Sequence, residues 1–499
     1  MKPNGLWCDT IIRCKFIILI LHSFVVMSSI KKNFAYNSFL SVSSHLINLI
    51  LFPYCARVLG VERFGTVNFA QNIVQYALFI AAMGITHIGV REIAKQTDRR
   101  GRNQCFSNML SLNILFTLVA MLLYIPAIFL FDRLEVQKEL FLIGSFQILF
   151  SAFSVEWFFR GIENYKFITI RSLLIRILYV ISVFILVKDS DDYVLFFLLT
   201  VLSTIVNAAV NFIYARKFVS FTFKGLDLKI YFGSAISLGC YSILTSMYTT
   251  FNVTYLGFVW NDIQVGYYTT ALKIYTVILG FYTAFTSVML PRMSSILNNN
   301  DESSFKNLID KSFELLLMVS LPLVVCLMMM APETIEVLAG DEYEPAVILS
   351  RIIMPMLFVV GIAQILVFQI IIPKGFDFVT LKASFIGAVI GVLLNILLTP
   401  RLMSVGTCIT VVATELCVTG YYFYFVKMKQ LFELDISILK THLLCAIPYI
   451  PLCGVAKFIS GGNSFSGLGI SVFICILYFV LSQIYLIKNS FIRKLLKLE

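Results

Sequence analysis

FITIRSLLIRILYVISVFILV, Phe167 to Val187, is apolar enough to lie in lipid, yet Arg171 and Arg176 interrupt it. As a helix it spans about 31 Å at roughly 1.5 Å per residue, the thickness of a bilayer's hydrocarbon core. A guanidinium cannot be deprotonated in a protein, so inside such a segment it needs water, a partner or an anion. The rest of the chain is more of the same. Of 499 residues, 59% are hydrophobic and 13% charged, about half the charge of an ordinary soluble domain. Fourteen hydrophobic segments follow one another, near residues 34–58, 66–90, 109–131, 141–159, 168–187, 193–214, 232–258, 266–290, 313–332, 346–372, 383–399, 407–426, 443–459 and 469–487. The chain therefore reads as an all-α polytopic membrane protein with about 14 transmembrane helices. Lipid demands internally paired backbone, and the ten-residue alternation of a barrel is missing.

Short-loop charge sets the orientation. With both termini inside, cytoplasmic segments from Lys31 onward hold 25 Lys and Arg against seven in the outer loops. Acidic residues lean outward, 13 against 11, five of them between Glu333 and Glu344. The formal charge of +11 is thus a topology signal, and no basic cluster in a foldable extramembrane domain points to nucleic acid. The eleven cysteines form no C-x-x-C pair and the four histidines are scattered. They read as small buried hydrophobes rather than disulfides or metal ligands, with no metal and no cofactor expected. Residues 1–26 carry a short apolar run, FIILILHSFVVM, and MSSIKKNFAYNSF at Met27 reads like a fresh amino terminus. They are expected to be a dispensable extension or a mis-assigned start.

An internal repeat is visible. GTVNFA (Gly65–Ala70) opens the second segment and GYYTTA (Gly266–Ala271) the eighth, with Glu62 and Asp262 just upstream. RGIE (Arg160–Glu163) follows the fourth segment and KGFD (Lys374–Asp377) the tenth. The offsets of 201 and 214 residues each link one segment to the sixth after it. Six helices per unit leave both copies in one orientation, related by a pseudo-twofold along the membrane normal with a site between the lobes. The expected division is 27–231 for the first lobe, 232–426 for the second, and 427–499 for two appended helices and a cytoplasmic tail.

Polar stripes at helical spacing mark faces turned away from lipid. The first segment carries Asn37, Ser41, Ser44, His45 and Asn48, and the seventh Ser234, Ser237, Tyr241, Thr245, Tyr248, Asn252 and Tyr255. Either stripe alone is explained equally well by helix–helix hydrogen bonds. Matching stripes at equivalent places favour a shared central cavity, lined by Asn37, Ser41, His45, Asn48, Ser237, Tyr241, Tyr248 and Asn252. Within the membrane, Arg171, Arg176, Lys273 and Arg351 stand against Glu156 and Glu415, so the cavity is expected to be cationic and to meet an anion such as pyrophosphate. Snorkelling explains Arg171, Glu156 and Arg351, which lie near segment ends, but not the deeper Arg176, Lys273 and Glu415. Arg176 and Lys273 are the expected substrate contacts, one per lobe. Glu415 is either an ion-coupling carboxylate or the static partner of one of them. No phosphate-binding G-x-x-x-x-G-K-[ST] occurs, since GVERFGT (residues 60–66) lacks the lysine. No loop is long enough for a catalytic domain, so no enzymatic activity is expected.

ARVLGVERFGTVNFAQ (Ala56–Gln71), EWFFRGIENYKF (Glu156–Phe167), DIQVGYYTTALKIY (Asp262–Tyr275), MLPRMSSIL (Met289–Leu297) and GDEYEPAVILSRIIMPM (Gly340–Met356) resemble the polysaccharide-biosynthesis flippases, the O-antigen transporter branch of the MOP superfamily. The resemblance runs from about Met27 to Phe425 and departs at VGTCIT (Val405–Thr410), where the family is usually Gly-Ala-rich. It implies a bacterial inner-membrane protein that moves an undecaprenyl-pyrophosphate-linked oligosaccharide to the outer leaflet by alternating access. A polysaccharide polymerase and chain-length machinery are further partners it implies. A peptidoglycan-precursor flippase, with the same helix number and a cationic cavity, is the chemical alternative. A drug or cation antiporter of the superfamily would need a net acidic cavity, and a scaffold would leave the buried charges unexplained.

Overall fold

The computed structural model describes residues 29–222, 225–298, 301–432 and 436–486; the expectation for residues 1–26 lies outside them. No strand occurs among the described residues. Two continuous helical stretches are too long for one crossing. Ser29–Ala82 has 54 residues and Phe378–Met428 has 51, each about 80 Å at roughly 1.5 Å per residue, more than twice a hydrocarbon core. The first turns back at Gly60, whose φ of 69° is in the left-handed region that favours glycine. The second parts at Met403 (φ 55°), shortly after Pro400.

The crossings are then α1 (29–59), α2 (61–82), α3 (Arg99–Leu130), α4 (Lys138–Ser151, continued by Glu156–Gly161), α5 (Tyr165–Leu186), α6 (Tyr193–Ala215) and α7 (Lys229–Thr249, continued by Phe251–Val259). Next come α8 (Asp262–Asn298), α9 (Glu302–Met329), α10 (Ala346–Ile353 and Met356–Ile365), α11 (378–402), α12 (404–428), α13 (Ile436–Ala446 and Tyr449–Ser460) and α14 (Ser464–Leu481). These are the fourteen expected crossings. Their ends differ from the expectation where polar caps extend a helix beyond lipid. Asp98 accepts from the Gly101 N–H at 3.0 Å and starts α3 ten residues before its apolar run.

The architecture is two six-helix lobes and an appended pair. In the first lobe α2 to α6 pack on one another, and in the second α7 packs on α11 and α9 on α10. The lobes meet chiefly where α8 lies along α1 and α2. Helices α13 and α14 pair with each other and lean on α9. Around the circumference large apolar side chains face outward, Leu122 at 74% and Leu130 at 75% exposure among them, as lipid allows. In VGTCIT, Gly406 is packed so closely on the Leu398 carbonyl that a Cβ would collide with it. The departure from the family pattern keeps the one glycine the α11–α12 turn requires.

Candidate functional site

A cavity of about 470 Å³ opens between α8 and the first lobe. "Outer" below means the face that carries Glu333 to Glu344. Lys273 stands 11 residues into α8 from Asp262, about 16 Å below that face. Its ammonium lies 4.1 Å from the centre of the Phe64 ring and 5.8 Å from that of Phe52. No carboxylate is within ion-pairing distance of it among the described residues. Aromatic faces offer a cation a partial substitute for water and leave its remaining N–H donors for an anion. His45 and Asn48 of α1, Gln71 of α2, Tyr179 of α5 and Thr276 of α8 share the wall. Gln71 Oε1 is buried there without a hydrogen-bond partner among the described residues. Gly280 makes the α1–α8 approach possible, because a Cβ at that position would overlap the His45 ring.

Several expected site residues reach this cavity and several do not. His45, Asn48 and Lys273 line it. Arg176 is half-buried one turn inward of Tyr179 on α5, with the charges of Glu156 and Arg171 near it. Arg171 is buried and already engaged. It pairs with Glu156 at 3.0 Å and donates to the Ser172 hydroxyl at 2.8 Å, while Glu156 also holds Arg160 at 2.7 Å. Snorkelling is thus not what Arg171 does; a carboxylate on the neighbouring helix accounts for it. Arg351 is exposed, donates to the Met328 carbonyl at 3.2 Å and is not in the cavity wall.

Glu415 is half-buried on α12 beside Tyr275 of α8, and pairs with neither Arg176 nor Lys273. The static pair considered for it is not formed. Ser41 and Ser237 are exposed and Tyr241 half-buried. Asn252 is not a cavity residue. It is 2% exposed and accepts from the Asn395 amide of α11 at 2.7 Å, so this part of the α7 stripe is helix–helix adhesion. The side chains of Asn37 and Tyr248 lie outside the described ones. Tyr179 reaches the wall from the α5 face it shares with Ser172 and Arg176, whereas sequence reasoning missed Phe52, Phe64 and Gln71, since nothing along a membrane helix says which side chains a lysine on a distant helix will meet.

The outer ends of the lobes are closed over the cavity. The two repeated motifs meet there. A Cβ on Gly65 would strike the Asp262 carbonyl, and one on Gly266 the Val61 carbonyl, so the α2 and α8 backbones touch where any larger residue would part them. Asp262 is the hub of this seal. Its carboxylate pairs with Arg133 and accepts from Gln137 at 2.6 Å and the Thr66 hydroxyl at 2.8 Å. Arg57 donates to the Glu336 and Val337 carbonyls, both at 2.7 Å, and the Tyr343 hydroxyl to the Ala56 carbonyl at 3.1 Å. Toward the inner face α2 meets α7 again, with Met83 filling the space left by Gly239.

Residues 30–297, more than half of the chain, match the family model described as polysaccharide biosynthesis protein, and residues 164–480 match that of the lipid II flippase MurJ. A relative named "Putative O-antigen transporter" from Escherichia coli (strain K12) is 24% identical over 408 residues, which cover 81% of this chain and 98% of that one. One of the same name from Shigella dysenteriae is 24% identical over 406 residues, 80% and 100% of the two chains. Among solved structures, an inward closed conformation of the lipid II flippase MurJ superposes with a TM-score of 0.75 at 16% identity, over 90% of this chain and 98% of that one. An inward-facing multidrug resistance MATE transporter of the MOP superfamily gives 0.61 at 15% identity, over 79% and 98%. At such identities these two likenesses speak for the fold alone. The two matched family models, each over more than half of the chain, settle the family: the chain belongs to the polysaccharide-biosynthesis flippases.

Proposed function

We propose that this flippase carries an undecaprenyl-pyrophosphate-linked oligosaccharide, a repeat unit of O-antigen, capsule or exopolysaccharide, across the bacterial inner membrane by alternating access, with both termini in the cytoplasm. One observation carries the substrate class: Lys273 presents its ammonium to a cavity of mixed lining, with the Phe64 and Phe52 rings and the Cys55 thiol beside it and no carboxylate pairing with it among the described residues. A cation so placed favours an anionic ligand, and a diphosphate supplies two charges and several acceptor oxygens. Arg176, one turn inward on the α5 face that Tyr179 shares, is the second contact proposed. Glycan hydroxyls would meet His45, Asn48 and Gln71, while the polyprenyl tail stays in lipid.

Alternating access needs contacts that differ between two states. The outer seal around Asp262 is the kind of contact that must open once the substrate is bound. Lys273 and Tyr275 are two residues apart and point to opposite sides of α8, the lysine toward the first lobe and the tyrosine toward Glu415. A proton or cation taken up at Glu415 is thereby next to the helix that carries the substrate contact, which is the support for an ion-coupling role.

A second reading, flipping of a peptidoglycan lipid precursor, is favoured by the MurJ model match over residues 164–480 and uses the same diphosphate chemistry. Cells separate the two. In a strain lacking its O-antigen flippase, this chain should restore surface polysaccharide and Lys273→Ala should reduce it tenfold or more. In a strain depleted of its lipid II flippase it should not restore growth. Rescue of growth without rescue of polysaccharide would replace the first reading by the second. Full polysaccharide with Lys273→Ala would remove the lysine from either.

A further inference from the structure

Three cysteines that no sequence spacing connects converge where the appended pair of helices meets α9 of the second lobe. Cys326 is on α9, Cys453 on α13 and Cys475 on α14. Their three Sγ atoms all lie within 4.8 Å of one another, with Cys326 and Cys475 at 3.3 Å and Cys453 and Cys475 at 3.9 Å. Cys453 and Cys475 are buried and Cys326 half-buried. We propose that this trio is a binding site for a thiophilic divalent d10 metal ion, of which zinc is the common example, and that the ion fastens α13 and α14 to the second lobe through α9.

The argument is geometric first. Zinc–thiolate bonds of about 2.3 Å place tetrahedral sulfur ligands about 3.8 Å apart, so the trio needs only small side-chain adjustments to close on one ion. Two sulfurs would serve a disulfide; a third directed at the same point makes a donor set. Three helices from separate parts of the chain supply one sulfur each, and packing of small apolar residues does not require that. Charge narrows the ion. Three thiolates around a monovalent ion leave two negative charges in a low-dielectric interior, whereas a divalent ion leaves one. Lys457, one turn beyond Cys453 on α13, brings a positive charge close by, its ammonium held 2.8 Å from Glu333. Binding would release the thiol protons. The thioether of Met330, buried in the same cluster, is a further soft donor at hand.

The test uses the full-length protein in detergent under argon, with its thiols kept reduced by a phosphine. Titration with Cd(II), whose thiolate charge-transfer band reports sulfur coordination, should saturate at one ion per chain and be reversed by Zn(II). Cys326→Ser, Cys453→Ser and Cys475→Ser should each weaken binding at least tenfold, while Cys240→Ser and Cys417→Ser, at exposed positions, should not. If a serine at one of the buried positions upsets folding, Cys326→Ala at the half-buried one gives the same readout. Mass mapping of alkylated thiols supplies a second: the ion should protect these three cysteines and leave Cys240 and Cys417 reactive. Absence of the band, binding undiminished in the three single variants, or protection of a different set of thiols would each overturn the site.

Discussion

Arg176, Lys273 and Glu415 are charged side chains that lie deep in the bundle without an ion-pair partner among the described residues. An unpaired charge in such a place costs at least about 2.5 kcal/mol, which helix packing alone gives no reason to retain. Arg171 shows the contrasting case. Its charge is spent on Glu156, so Arg171→Ala should leave that carboxylate to Arg160 alone and cost stability, about 1–3 kcal/mol by the loss of a charged hydrogen bond. Thermal unfolding in detergent should then show a lowered midpoint, and Arg171→Lys, which keeps a positive charge beside Glu156, should lower it less. Glu415→Gln should leave the midpoint almost unchanged and slow export, with the pH dependence of transport into spheroplast-derived vesicles flattened. Normal rates with the wild-type pH profile would remove Glu415 from coupling. At this scale the sequence exposed every membrane charge but not its partner. The depth of Lys273 and Glu415 could be counted along a helix, whereas the Arg171–Glu156 bridge joins neighbouring helices whose rotation no count supplies.

Among the helices, the repeated glycines do more than mark a duplication. Gly65 and Gly266 sit at the same place in the two motifs and let α2 and α8 touch at the outer end. Gly65→Leu or Gly266→Leu should force the crossing apart. Maleimide labelling from outside, at a cysteine introduced at Thr276 in the cavity wall, should become faster by several-fold, and export should fall because the closed state is disfavoured. Labelling at the wild-type rate would show that the crossing is not a gate. The helix count was legible because fourteen apolar runs each match a bilayer. The α7 stripe was only half legible. Its spacing marks a face turned from lipid, but Asn252 spends that polarity on Asn395 while Ser237 stays exposed, since the two parts of α7 face different surroundings. The cysteine trio was not legible at all, because its members are 127 and 22 residues apart and only the packing of α9, α13 and α14 unites them.

Across the whole molecule, the account rests on two lobes that share a cationic cavity and part at the outer face. Asp262 ties Thr66, Arg133 and Gln137 of the first lobe to the start of α8. Asp262→Asn keeps two of these hydrogen bonds and removes the ion pair, which is half-exposed on the Arg133 side and so worth about 1 kcal/mol. A bias of that size should raise the outward-open population about fivefold, readable as a shortened distance distribution or a new peak between spin labels across α2 and α8 at the inner face. The lobes and their axis could be inferred from six-residue matches because a duplicated backbone must repeat its close approaches. The latch could not, since it is built from side chains of α2, the α3–α4 connection and α8 that the repeat does not share. The most direct test of the cavity's assignment is binding. Purified protein in nanodiscs is offered a polyprenyl-diphosphate oligosaccharide and, separately, the same glycan on a neutral lipid. The wild type should prefer the diphosphate form at least tenfold, corresponding to a charged hydrogen bond of about 1.5–3 kcal/mol, and Lys273→Gln should reduce that preference sharply. Equal affinity of the wild type for both lipids, or an undiminished preference in Lys273→Gln, would contradict the account.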